Sequence, residues 1–147
     1  EAKKRHIHTT IETCGHYPTD VLDQACRVLD ALIFDIKCLD SARHKKATGV
    51  GSELILKNIG HVFEHFPDLP VLIRTPVIPG FNDTEEDILG IREMIPRKAN
   101  IRYEALTYHR MGQPKYGYLG RRYELEGVKA DEAFMKRLNI MLKSYEK

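Results

Sequence analysis

Residues 31–37 read ALIFDIK, and this stretch decides the fold. It is a short apolar run with β-branched and aromatic content, and its polar groups come only at its end. That pattern predicts a buried strand of the kind found in parallel sheets. Asp35 and Lys37 lie two residues apart and so point to the same side. Upstream, residues 5–12 alternate: His6, His8, Thr10 and Glu12 share one face, while Ile7, Thr9 and Ile11 share the other. Gly15 breaks that strand, and Pro18-Thr19-Asp20 starts a helix with Val21, Leu22, Ala25, Val28 and Leu29 on one stripe. Downstream, Gly49 and Gly51 close a basic loop containing His44-Lys45-Lys46. Ser52 is placed to cap a helix whose stripe is Leu54, Ile55, Ile59, Val62, Phe63 and Phe66. Residues 70–75 (PVLIRT) form a third strand, and the turn Pro79-Gly80-Phe81-Asn82-Asp83 follows. Thr84 and Asp87 resemble a capping box for a helix presenting Ile88, Leu89, Ile91 and Ile95. Residues 101–108 (IRYEALTY) form a fourth strand. A long loop rich in Gly and Tyr and a last helix from 130 to 144 complete the chain.

The order is β-α-β-α-β-α-β-loop-α, which implies an α/β fold with a parallel sheet and right-handed crossovers. About four strands are too few to close a barrel, which normally takes about eight. The expectation is therefore one domain, residues 1–147, forming a partial, open (β/α) barrel fragment. Its first strand would leave a raw edge. The polar face of that strand suits the interior of a wide barrel. In such a fold the C-terminal ends of the strands gather on one rim, where active sites are built. Glu12, Asp35, Lys37, Arg74 and His109 all fall at strand ends and so share that rim.

Composition narrows the class. Hydrophobic residues are 42% and charged residues 30% of 147, ordinary for a globular protein. The 23 Lys and Arg against 21 Asp and Glu give a net charge of only +2, which argues against a nucleic-acid surface or an anionic membrane patch. No apolar run is long enough to span a bilayer. The chain opens on EAKKRHIH rather than Met, which reads as an excised piece of a longer protein. The three cysteines, Cys14, Cys26 and Cys38, stand twelve residues apart rather than in close pairs. They read as reduced cytoplasmic thiols and not as a metal set.

On the rim, two carboxylates and a cation suit a zwitterion: Lys37 faces a carboxylate, and Glu12 and Asp35 face an ammonium or a bound cation. The alternative for Asp35 and Lys37 is a solvated pair at a strand end. Arg74 needs an anion, either a substrate carboxylate or its neighbours Glu12 and Asp35. His109 serves as donor, proton carrier or stacking plane, or else is structural. His6 and His8 form an HxH pair of the sort that opens many metallohydrolase sites. A metal-dependent hydrolase using His6, His8, Asp35 and His109 is therefore the alternative reading. A third reading makes loop 110–123 a docking surface for a partner, against the plainer view that it packs on the barrel end.

The pieces HTTIETCG (8–15), FDIK (34–37), TGVGS (48–52), IRTPVIPGFND (73–83), YHRMGQPKY (108–116) and LGRRYELEGVKA (119–130) together resemble one family. It is the radical S-adenosylmethionine (SAM) activating enzymes of glycyl radical enzymes, of the pyruvate formate-lyase activating type. The resemblance covers nearly the whole chain and implies the later strands of a (β/α)6 barrel. It implies SAM and a 4Fe-4S cluster as cofactors, a glycyl radical enzyme such as pyruvate formate-lyase as protein substrate, and flavodoxin or ferredoxin as electron donor. Reductive cleavage of SAM would yield a 5′-deoxyadenosyl radical that takes hydrogen from a glycine of the partner. By the same resemblance, Glu12 and Asp35 lie beside the methionine part of SAM around a monovalent cation, with Thr13 assisting. Lys37 contacts the SAM carboxylate, and Arg74 and His109 complete the pocket, with Lys37 and His109 as the catalytic pair. The family's CxxxCxxC motif is absent, as is its GGE-type motif. Both are expected ahead of residue 1, and the segment alone is expected to be inactive. Glu12 stands where the pyruvate formate-lyase type has Asp, which leaves the target enzyme open.

Overall fold

The computed structural model describes residues 1–145. Four strands, β1 (Thr10–Thr13), β2 (Ala31–Asp35), β3 (Val71–Val77) and β4 (Ile101–Thr107), form one sheet in the order β1-β2-β3-β4, with every pair parallel. The helices α1 (Thr19–Cys26), α2 (Ser41–Thr48), α3 (Glu53–His65), α4 (Glu85–Met94), α5 (Gln113–Tyr118) and α6 (Glu132–Ser144) connect and follow them. The open parallel sheet and its edge strand β1 are as the sequence predicts.

Burial shows why the sheet has two unlike faces. Along β2 and β3, Leu32, Phe34, Ile36, Val71, Ile73 and Val77 are buried, while Ile33, Asp35, Lys37, Leu72, Arg74 and Pro76 are only half-buried. β2 is thus buried on one face rather than wholly. The buried residues meet the helices in two clusters. One joins β2 and β3 to Leu22, Cys26, Ile55, Ile59, Val62 and Ile91. The other joins Val77 and Ala105 to Ile88, Phe134, Met135, Leu138 and Leu142.

Several local expectations are corrected. The first strand begins at Thr10, because residues 3–5 form a short 3-10 helix and His6 adopts a left-handed conformation at φ 56°. Val21 and Val28 are exposed, because α1 ends at Cys26 and its inward face is Leu22 and Cys26. The basic stretch 44–46 lies within α2, where the Asp40 carboxylate accepts from Arg43 N–H and Gly49 closes the end at φ 89°. Ser52 donates its hydroxyl to the Leu39 carbonyl at 2.9 Å instead of capping α3. Thr84 caps α4 as expected, accepting from Asp87 N–H at 3.1 Å and donating its hydroxyl to the Asp87 carboxylate at 2.7 Å, and that carboxylate also binds Arg43. The Gly- and Tyr-rich loop contains α5, and Tyr118 and Leu119 in it stand exposed instead of packing on the sheet end.

Candidate functional site: a charged cluster on the open face

The turn after β1 is built around a close approach. Gly15 sits at φ 68°, and a Cβ there would lie 2.1 Å from the Phe34 ring. Glycine is therefore required twice, by conformation and by space. The Thr13 hydroxyl accepts from the Gly15 N–H at 3.0 Å. Fully buried Asn58 braces the same turn: its amide donates to the Gly15 and Tyr17 carbonyls at 2.7 and 2.8 Å and accepts from the Thr19 hydroxyl at 2.7 Å.

This turn presents Glu12 on the half-buried face, and sheet register supplies its partners. Asp35 pairs with Arg74 across β2 and β3. Arg74 Nη2 forms an ion pair with Glu12 Oε1, and Arg74 Nη2 and Nε reach Asp35 Oδ1 at 3.2 and 3.3 Å. Lys37 Nζ lies 3.5 Å from Asp35 Oδ2. Burial lowers the proton affinity of Arg74, but its hydrogen bonds and charge contacts with Glu12 and Asp35 outweigh that and hold it above the ordinary guanidinium value. Arg74 is thus fixed as a cation that joins two carboxylates. Among the described residues Lys37 has that one polar contact, leaving donors of its ammonium to offer. At 59% exposure Glu12 is the open end of the cluster, against 20% for Asp35 and 28% for Lys37. The arrangement offers an anion receptor at Lys37 and a cation receptor at Glu12 and Asp35.

The structure thus brings together Glu12, Asp35, Lys37 and Arg74, with Thr13 adjacent. It does not join His109 to them. His109 is exposed beyond β4, in a cleft with Thr107, Tyr108, Val128, Lys129 and Glu132. Tyr108 there shares a hydroxyl–hydroxyl hydrogen bond with Tyr123. His6 and His8 precede β1 rather than facing one way along it; His8 Nδ1 meets the Thr10 hydroxyl at 3.3 Å. Among the described residues no three His, Cys, Asp or Glu side chains gather to hold a metal, so the hydrolase reading has no support. The thiols are free and apart in character: Cys14 is exposed, and Cys26 and Cys38 are buried. Burial pushes the Cys26 thiol up to about 11, with a further push from the Asp23 charge, and burial likewise raises Cys38. These are inert core thiols rather than ligands in waiting.

Sequence reasoning missed the braces. Asn58 carried a signal, since it interrupts the apolar stripe of α3 between Ile55 and Ile59. Asn82, within the turn after β3, is also fully buried. Arg43 was hidden in a stretch read as loop. It binds Asp87 through both Nη atoms and donates to the Phe81 carbonyl at 3.1 Å, which ties α2 to the same turn.

No protein-family model matches the chain. It is 99% identical over all its 147 residues to the (2S)-3-sulfopropanediol sulfolyase activating enzyme of Bilophila wadsworthia, covering 49% of that protein. It is 44% identical over 97% of its length to the isethionate sulfite-lyase activating enzyme of Nitratidesulfovibrio vulgaris, covering 46% of it. It is 36% identical over 98% to the choline trimethylamine-lyase activating enzyme of Oleidesulfovibrio alaskensis, covering 47%. In structure it matches a domain of pyruvate-formate lyase-activating enzyme from Bacteroides vulgatus with a TM-score of 0.73 at 26% identity, covering 97% of this chain and 80% of that one. The chain spans about half the length of the curated relatives it matches. Over that span, in both sequence and fold, its relatives are activating enzymes of glycyl radical enzymes.

Proposed function

We propose that this chain is the SAM-binding, C-terminal portion of a radical SAM activase that installs a glycyl radical on a partner enzyme. The observation that carries the reading is the Glu12–Arg74–Asp35–Lys37 cluster on the open face. Its donors and acceptors fit the amino-acid end of SAM: Lys37 holds the carboxylate, and Glu12 and Asp35 hold the ammonium or a monovalent cation beside it. The Thr13 hydroxyl accepts from the Gly15 N–H and so keeps its own proton to donate at this edge. Arg74 keeps the two carboxylates in register. His109 stands apart from this cluster, exposed beyond β4, and takes no part in the reading.

A 4Fe-4S cluster does not fit the cysteines present, two of which are buried and all of which are widely spaced. The cluster ligands are assigned to the remaining half of the relatives' length, and the segment alone is inactive. SAM bound beside a reduced cluster supplies the radical chemistry that removes hydrogen from the partner's glycine. A low-potential donor of the flavodoxin or ferredoxin kind delivers the electron, and the free thiols suit a cytoplasmic setting. No helix among the described residues is long and apolar enough to cross a membrane. Identity of 99% over the whole chain favours a (2S)-3-sulfopropanediol sulfolyase, rather than pyruvate formate-lyase, as the partner.

The test is anaerobic reconstitution of the full-length protein with iron and sulfide, followed by assay of 5′-deoxyadenosine formed from SAM. Lys37→Ala and Asp35→Asn should each raise the KM for SAM by about tenfold or more, the loss of one charged contact. Wild-type rates and affinities in both variants would overturn the assignment.

A further inference from the structure

We propose that Asn82 is a positioning residue that sets where Lys37 meets its ligand, an inference that rests on the reading of Lys37 given above. The ladder between β2 and β3 lacks one hydrogen bond at its end. β2 and β3 pair through Asp35 and Arg74, and the Ile36 N–H donates to the Arg74 carbonyl at 3.0 Å. In a parallel ladder the Ile36 carbonyl would next receive the N–H of residue 76. Residue 76 is proline and has none. The buried Thr75 hydroxyl takes that place, donating to the Ile36 carbonyl at 2.7 Å.

One residue further the strands part, and the carboxamide of Asn82 fills the gap. Its Nδ2 donates to the Lys37 carbonyl at 2.7 Å and to the Pro76 carbonyl at 2.9 Å, and its Oδ1 accepts from the Ile78 N–H at 2.7 Å. Asn82 is 0% exposed, so these partners leave no place for water to substitute. The Lys37 ammonium, by contrast, meets only Asp35 among the described residues, at 3.5 Å. The backbone of Lys37 is thus pinned by Asn82, while its side chain is left loose enough to reach a ligand.

The experiment uses the full-length, reconstituted enzyme. Asn82→Asp keeps the size and the acceptor but removes both donated bonds; Asn82→Ser serves if the first variant does not fold. Ile91→Val, a trimmed core residue of α4, controls for a general loss of stability. Asn82→Asp should raise the KM and the calorimetric Kd for SAM about tenfold while kcat changes less than about threefold. Added to Lys37→Ala, it should weaken SAM binding no further, because both changes remove one interaction. Unchanged affinity, effects that multiply with Lys37→Ala, or an equal loss in Ile91→Val would overturn the inference. If Lys37→Ala itself leaves SAM binding intact, the functional reading fails instead. The pinning is then judged in the free protein by amide exchange: Ile36, whose N–H bonds to Arg74 beside the Lys37 carbonyl, should exchange faster in Asn82→Asp, and unchanged exchange would overturn it.

Discussion

At the scale of single residues, Arg74 joins two carboxylates from two other strands, and only 18% of its side chain is exposed. Arg74→Gln should lower unfolding stability by roughly 1–3 kcal/mol, because Asp35 loses its principal partner in a half-buried site. Urea midpoints of the two proteins check this. Asp30 gives a pH signature elsewhere. It accepts from the Thr9 N–H at 2.8 Å and the Thr9 hydroxyl at 2.9 Å, and it faces Lys3 at 3.4 Å. These contacts, the backbone bond foremost, bring its carboxyl down to about 2. A depressed carboxyl contributes stability that is fully present above its unfolded value of about 3.9 and is lost as pH falls through the folded value. Asp30→Asn should therefore flatten the acid side of the stability profile between about pH 4 and pH 2, read from denaturant midpoints across that range. Glu12, Asp35, Lys37 and Arg74 were legible as a group because each ends a strand in a parallel order. Their actual pairing was not, since whether Arg74 answers a ligand or its neighbours depends on register and rotamer.

Elements of the fold show where reading by pattern stops. α2 has no apolar stripe; its one buried residue, His44, is held by the Val50 carbonyl at 2.7 Å and the Thr48 hydroxyl at 3.0 Å. Periodicity therefore missed it, although its caps at Asp40 and Gly49 were present in the sequence. Asp40→Ala should cost about 1 kcal/mol, the usual loss for an N-cap, measurable by thermal or urea unfolding. β1 was drawn too long because alternation continues through His6 and His8, while the backbone there turns left-handed before the ladder begins. The motif turn behind β1 is less forgiving. Gly15→Ala puts a methyl group into the Phe34 ring in a backbone conformation that L residues resist, and should destabilise by roughly 2–4 kcal/mol. A loss below about 1 kcal/mol in urea unfolding would show that the ring moves aside.

For the whole molecule, the β-α order told the class of sheet, because a short apolar strand followed by an amphipathic helix has few other solutions. The two clusters behind the sheet follow from that order. Buried Asn82 does not, since nothing local distinguishes its bracing amide from an ordinary turn residue. The 147-residue chain, purified alone and treated with iron and sulfide, should retain no stoichiometric iron and form no 5′-deoxyadenosine; metal analysis and product assay decide this. The division of the sheet into a buried and a half-buried face also has a consequence for change over time. Along β2 and β3 the core is built on one phase, so under the proposed function most of the other phase is left free for chemistry. A library randomised at Ala31, Ile33, Leu72, Arg102 and Leu106 would vary the less buried face of the sheet while leaving its buried core untouched. Lineages facing a new partner need only redecorate one side of a wall already standing.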